Sequence, residues 1–370
     1  MDRNLRFATI LVRSLAASGV EHAVVAPGSR NTPLSMALAA DAGITDVSMH
    51  DERSAAFLAI GAARATGKPV VITCTSGTAA AEFHPAVAEA SASRVPVIVL
   101  TADRPAELFD VGAPQTIDQT HLYGRAVRWS HDVEAPDASD VTDRAVAALG
   151  SRLVAEATRA MPGPVHLNCR FREPLVPTEA PPDPPPAVRT LPGRSLPAAA
   201  QIEAIAEALG GRRGLIVCGP QDDLALAPAI AALATTSAIP VLADPLSGLR
   251  YGPHDRTAIL AGGDLLAAGG FLDTHPPEVM LRIGGLPTSK PLWSWMESHP
   301  EIDQILLDVA GWRDPLATAA TVVFADPAAV VAGAVGTGPA PAGWLDAWTE
   351  ADTIARRASD RVVEGHGRLS

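Results

Sequence analysis

Apolar and polar positions along residues 1–170 follow two alternating periods, and the period switches at each cluster of Gly, Pro, Ser or Asp. Apolar residues at helical spacing over 7–18, closed by Gly19, predict a helix, and the short apolar run 22–26, stopped by Pro27-Gly28, predicts a strand. A helix over 32–40 with Pro33 near its start, a strand over 46–50 and a helix over 52–66 ended by Gly67 follow. The run 69–74 reads as a buried strand, bounded by the small-residue turn Thr75-Ser76-Gly77-Thr78. A helix from 79 to about 91, an all-apolar strand over 95–101, a long helix over 138–159 and a last strand over 164–169 complete the series. Apolar strands separated by helices of this length imply a parallel sheet covered on both faces.

Residues 174–197 hold nine prolines, which excludes helix and inner strand and favours an extended, semi-rigid connection. The α/β alternation then starts again. Helices are predicted over 198–209 and 224–236, strands over 214–218, 240–243, 279–283, 304–308 and 321–324, and a final helix from 344 to about 363. The fold class expected is therefore α/β, with two doubly wound parallel-sheet domains. The expected division is a first domain over 1–175, a linker over 176–197, a central domain over 198–340 and a helix-bearing segment over 341–370.

Composition narrows the class. The chain has 370 residues, 47% hydrophobic and 19% charged, as expected of a folded globular protein with two cores. A net charge of -12 argues against nucleic-acid binding through a basic surface, although a local cluster of arginines can still hold an anion. Cys74, Cys169 and Cys218 are far apart without a CxxC, so neither a disulfide framework nor a zinc site is expected. The N-terminus leads into an amphipathic pattern rather than a signal sequence, and no apolar stretch is long enough for a membrane span. A cytoplasmic location is the expectation.

Candidate chemistry collects at the carboxyl ends of predicted strands, where open α/β sheets place their ligands. Ser29 and Arg30 follow the first strand, and Arg104 follows the strand that ends at Thr101. Two arginines on neighbouring loops suit capture of carboxylates or phosphates. Glu52 sits at a strand-to-helix junction; it is read either as a catalytic carboxylate or as a solvated first-turn residue favoured by the helix dipole. Gln115 lies in the loop after Arg104, and Lys290 follows a strand of the second domain, where a surface lysine near a helix start is the plainer reading. No P-loop, HExxH or GxSxG motif occurs. Gly262-Gly263-Asp264 and Gly269-Gly270 fit no dinucleotide fingerprint and read as helix-flanking turns.

Taken together, APGSRNTPL (26–34), HDERSAAFLAIG (50–61), TSGTAAAEFHPAVAEA (75–90), RVPVIVLTADRPAEL (94–108), GAPQTIDQ (112–119) and GLPTSKPLW (285–293) carry a resemblance. They look like the 2-succinyl-5-enolpyruvyl-6-hydroxy-3-cyclohexene-1-carboxylate synthase family, thiamine-diphosphate enzymes of menaquinone biosynthesis. The resemblance implies three α/β domains, of which this chain is expected to hold the pyrimidine-binding and central ones. The diphosphate-binding domain, with the magnesium ligands, is expected to be absent, so no metal ligand is assigned here. A chain without that domain is expected neither to bind the cofactor appreciably nor to turn over alone.

What the resemblance implies for residues follows the matching segments. Glu52 would hydrogen-bond the cofactor's aminopyrimidine ring and promote the tautomer that removes the thiazolium proton. Thr75, Ser76 and Gly77 would contact the cofactor. Ser29, Arg30, Arg104, Gln115 and Lys290 would bind the substrates 2-oxoglutarate and isochorismate. The cofactors implied are thiamine diphosphate and Mg2+, and the assembly implied is a homodimer or homotetramer. Pro114 stands where the family often has Asn, and Pro291 where some relatives have a second cation. The alternatives are another thiamine-diphosphate carboligase or decarboxylase of the acetolactate-synthase type, or a non-catalytic binding module.

Overall fold

The computed structural model describes residues 3–137, 139–176, 183, 185–191 and 193–365. They form two compact units, Met1–Gly193 and Arg194–Ser370. Part of the proline-rich stretch, Ala138 and the last five residues lie outside the described set.

The first unit runs α1 (Arg3–Ala17), β1 (His22–Val25), α2 (Thr32–Ala40), β2 (Thr45–Ser48), α3 (Glu52–Thr66), β3 (Val70–Cys74), α4 (Thr78–Glu82), α5 (His84–Ser93), β4 (Val97–Asp103), β5 (Trp129–Glu134), α6 (Asp140–Ala157) and β6 (Val165–Arg170). Its six-stranded sheet has the order β2-β1-β3-β4-β6-β5, with every pair parallel. Strand periodicity splits the core between two faces. Val71, Ile98 and Leu100 face Phe7, Leu11, Leu34 and Val146, whereas Ile72, Val97 and Val99 face Ala55, Ile60, Phe83 and Val87. Each of the larger side chains, fully buried, stabilises the fold by about 1.5–3 kcal/mol relative to exposure.

The second unit runs α7 (Ala199–Leu209), β7 (Gly214–Cys218), α8 (Leu226–Thr236), β8 (Val241–Ala243), β9 (Ile259–Leu260), α9 (Gly263–Ala268), α10 (Phe271–Thr274), β10 (Val279–Ile283), α11 (Lys290–Ser298), β11 (Asp303–Asp308), β12 (Thr321–Phe324), α12 (Pro327–Gly333) and α13 (Trp344–Gly365). Its sheet order is β12-β11-β10-β7-β8-β9, again parallel throughout. The doubly wound α/β class expected for both halves is therefore what is found. No described helix is long and apolar enough to cross a membrane.

Several elements differ from the sequence reading. The helix expected from 79 to 91 is two helices meeting at Phe83, because Pro85 lacks an N–H and its ring crowds the preceding turn. The strand β5 was not expected, since Trp-Ser-His-Asp-Val-Glu carries no apolar run. It lies at the sheet edge, bonded only to β6, and edge position removes the need for two apolar faces. The paired glycines at 262–263 and 269–270 do flank a helix, α9.

Candidate functional site

The carboxyl ends of β1 and β3 lie side by side at the point where the strand order of the first sheet reverses. A crevice at such a switch point is where open α/β sheets bind ligands. The loop after β1 is stitched to β3 by Asn31, fully buried, which donates from Nδ2 to the Ala26 carbonyl (3.1 Å) and accepts from Thr73 Oγ1 (2.7 Å). Gly28 then passes so close to Thr75 that a Cβ there would lie 2.4 Å from the Thr75 Cβ. Glycine is required by this close approach, not by its dihedral angles. Thr75 Oγ1 is buried without a hydrogen-bond partner among the described residues.

The loop after β3 is fixed from its other side. Gly77 has φ +90°, a conformation that side chains rarely adopt, and a Cβ there would stand 3.1 Å from the Gln115 carbonyl oxygen. The Gly77 N–H donates to Gln119 Oε1 at 2.8 Å. Gln119 is itself fully buried and donates from Nε2 to the Ala102 carbonyl (3.2 Å) and Asn168 Oδ1 (2.9 Å). Asn168 in turn donates to Asp103 Oδ2 and Asp132 Oδ1, both at 2.8 Å. A continuous polar network thus links the carboxyl ends of β3, β4, β5 and β6 beneath the loops.

Arg104 extends from the end of β4 over this base. Its Nη1 donates to Ser76 Oγ, its Nη2 donates to Gln115 Oε1 at 3.4 Å, and its own amide donates to Asp103 Oδ1 at 2.7 Å. Arg30 is mostly buried; its Nη1 donates to the Phe171 carbonyl at 2.9 Å and its Nη2 lies 3.2 Å from Glu173 Oε1. Arg30 Nε is buried without a partner among the described residues. Burial, and then the neighbouring Arg30 charge, pull Arg104 below the usual guanidinium range. Burial likewise raises Asp103, against the hydrogen bonds that it accepts from Asn168 and the Arg104 amide. The site therefore holds two guanidinium groups in one partly desolvated place, with the Glu173 carboxylate as the anion beside Arg30.

Glu52 is the first residue of α3 and is half-buried. Asp51 caps the helix by accepting the Ser54 amide at 2.8 Å, which leaves Glu52 in the first turn without a hydrogen-bond or ion-pair partner among the described residues. It begins the helix that starts just past β2, and Ala55 and Ala56 of that helix pack in one core cluster with Ile72 and Cys74 of β3. Thr75 is the next residue after that cysteine.

The structure thus brings Thr75, Ser76, Gly77, Arg30, Arg104 and Gln115 together, with Glu52 at the start of the helix that packs against β3. Ser29 is exposed, and only its carbonyl is engaged, by Thr32 Oγ1 at 2.8 Å. Lys290 belongs to the second unit. It is exposed at the start of α11, where Ser289 caps the helix and Pro291 occupies the first turn, a position suited to its missing N–H. The preceding Thr288 is held by Asp244 Oδ2, which accepts its amide at 2.6 Å and its hydroxyl at 2.8 Å. Sequence reasoning missed Gln119, Asn168, Asp103 and Glu173. Asn168 offered a signal, as the amide in the otherwise apolar stretch Leu167-Asn168-Cys169 at a strand's carboxyl end.

Residues 5–122 match the family described as "Thiamine pyrophosphate enzyme, N-terminal TPP binding domain". Three relatives carry the name 2-succinyl-5-enolpyruvyl-6-hydroxy-3-cyclohexene-1-carboxylate synthase. The protein of Geobacillus kaustophilus is 46% identical over 96% of this chain and 63% of its own length. That of Chloroflexus aurantiacus is 46% identical over 96% of this chain and 62% of its own. That of Haloarcula marismortui is 42% identical over 98% of this chain and 67% of its own. The chain belongs to the 2-succinyl-5-enolpyruvyl-6-hydroxy-3-cyclohexene-1-carboxylate synthase family. This family resemblance, read earlier from six segments, extends over nearly the whole chain. The chain spans less than two thirds of the length of the Geobacillus and Chloroflexus synthases.

The residues present can be tested against the cofactor of such enzymes. An unpartnered, half-buried carboxyl at Glu52, a buried unpartnered hydroxyl at Thr75 and a glycine-lined loop suit a flat heteroaromatic ring with hydrogen-bonding edges. For the magnesium ion the described residues offer no cluster of three or more His, Cys, Asp or Glu.

Proposed function

We propose that this chain supplies the pyrimidine-side and carboxylate-binding half of a thiamine-diphosphate-dependent synthase that joins decarboxylated 2-oxoglutarate to isochorismate. The observation that carries this reading is Arg104, bonded to Ser76 and Gln115 while sharing a partly buried place with the charge of Arg30. Both substrates are polyanions, and paired guanidinium groups at a strand end are the chemistry that holds them.

In this reading Glu52 holds and moves the proton of the cofactor's pyrimidine side, while Thr75, Ser76 and Gly77 form the wall against the ring. Thiamine diphosphate, when bound, supplies the electron sink for decarboxylation. Arg30 and Arg104 orient the substrate carboxylates, with Ser29 and Gln115 as hydrogen-bond partners. The enzyme works in the cytoplasm as a homodimer or homotetramer. Supporting an assembly, all four residues of β2 are exposed, and Phe57 and Leu58 on the helix begun by Glu52 are 48% and 41% exposed. The apolar part of that surface, Val47, Phe57 and Leu58, favours coverage by a second subunit.

Calorimetric titration with 2-oxoglutarate tests the arginine pair. The chain is expected to bind it, and Arg104→Met to weaken binding by roughly tenfold, the scale of a charge-assisted bond. Unchanged binding after loss of both arginines would remove the pair from the reading. Turnover is measured by mass spectrometry with 2-oxoglutarate, isochorismate, thiamine diphosphate and magnesium in the synthase that contains this sequence. Glu52→Gln should slow it by about 10²–10⁴-fold.

A further inference from the structure

Glu173 lies just past β6, beside the end of β4, and its carboxylate is the one that faces Arg30. The Oε1 to Nη2 distance is 3.2 Å, with the Arg30 side chain 10% exposed and that of Glu173 69% exposed. Arg104 senses the same carboxylate: burial and then the Arg30 charge lower its pKa, while Asp103 and then Glu173 raise it. Two guanidinium groups therefore share the site with two carboxyl groups, the buried Asp103 beneath Arg104 and the exposed Glu173 beside Arg30.

The backbone around Glu173 is held on both sides. Asn4 Nδ2 donates to the carbonyls of Arg172 (2.6 Å) and Pro174 (2.9 Å), and the Phe171 N–H donates to the Asp103 carbonyl at 3.1 Å. The neighbouring Arg172 is committed to Glu107 and Glu134. The Glu173 carboxylate is thus fixed in position at its root and open to water at its tip.

We propose that Glu173 is a displaceable counter-charge, a specificity-determining residue that neutralises Arg30 until the carboxylate of an anionic ligand takes its place. The proposal rests on reading Arg30 and Arg104 as a carboxylate-binding pair. A buried guanidinium without a partner is costly, so Arg30 needs an anion at all times. An exposed carboxylate forms only a weak pair and recovers its hydration when released. Exchange of one carboxylate for another leaves no buried charge bare at either end. A neutral ligand cannot make this exchange, so the residue restricts entry to anions and lowers their apparent affinity by the strength of its own contact.

Calorimetric titration of the 370-residue chain with 2-oxoglutarate, and separately with sulfate, is the test. Glu173→Gln should tighten both by roughly two- to fivefold, the ratio that matches an ion pair with one exposed partner. A merely structural role would weaken binding instead, and melting temperatures of each variant show whether the fold is intact. Asp46→Asn, which removes an exposed carboxylate on β2, changes net charge equally and should leave affinity unaltered. The gain should vanish when Arg30→Met is combined with Glu173→Gln. If wild type binds and Glu173→Gln binds equally or more weakly, or if Asp46→Asn gives the same gain, the counter-charge is overturned while the arginine pair stands. If neither wild type nor Glu173→Gln binds either anion, the pair itself fails and this proposal with it.

Discussion

Gln119 Oε1 accepts the backbone N–H of Gly77 at 2.8 Å across 42 residues of sequence, and that bond ties the main chain of the loop after β3 to the network beneath it. Both groups are buried, so neither has water as an alternative partner. Gln119→Ala would strand the Gly77 amide and take one of two donors from Asn168 Oδ1, which keeps Thr101 Oγ1 at 2.9 Å. Leaving a buried polar group unsatisfied costs about 1–3 kcal/mol. A loss of that order in urea unfolding is expected, with faster hydrogen exchange at Gly77. Exchange at Gly77 equal to wild type would show that the loop holds without this bond.

His166 gives the first unit an acid-sensitive step. It is 1% exposed, its Nε2 lies 2.7 Å from Thr101 Oγ1, and its ring packs edge-on against Tyr123. Burial lowers its pKa from 6.5 to about 4. The folded state therefore refuses a proton that the unfolded chain accepts. Stability from this group is complete above pH 6.5 and is lost as pH falls toward about 4, on the order of 3 kcal/mol across the window. Urea midpoints between pH 7 and 4 should fall less steeply in His166→Gln. Parallel slopes for the two proteins would assign the acid sensitivity elsewhere.

In the second unit, Arg282 and Asp314 form an ion pair at 2.8 Å with side chains 6% and 3% exposed. Burial opposes the Asp314 charge, but the Ala319 amide and then the Arg282 guanidinium hold its carboxyl below the usual range. Asp314→Asn would leave Arg282 charged in the interior and should cost about 3–5 kcal/mol. Replacing both by apolar residues of similar volume should cost much less. A double variant as unstable as Asp314→Asn would mean that the neighbours Gln304 and Thr318, which also bind Arg282, need the guanidinium itself.

The sequence made one part of the fold readable and concealed another for a common reason. Central strands such as Val70–Cys74 and Val97–Asp103 are buried on both faces, so they stand out as continuous apolar runs. The edge strand Trp129–Glu134 is satisfied by one neighbour and half-covered, so its pattern is that of a loop. The same holds at the candidate site. Arg30 and Arg104 follow strands that can be read directly, and Glu52 follows a visible junction. Gln119 and Asn168 act through distant partners, 42 residues away in the bond of Gln119 to Gly77 and 65 in that of Asn168 to Asp103, Glu173 reaches back to Arg30 near the other end of the unit, and no local period encodes such pairings.

The second sheet has the strand order of a dinucleotide-binding fold, yet its central gap is already filled by its own main chain. Gly219 donates its amide to Ile283, Gly285 donates its amide to Pro220, and a methyl group on Gly219 would fall 1.8 Å from the Gly285 oxygen. A pyrophosphate has no room between those strands.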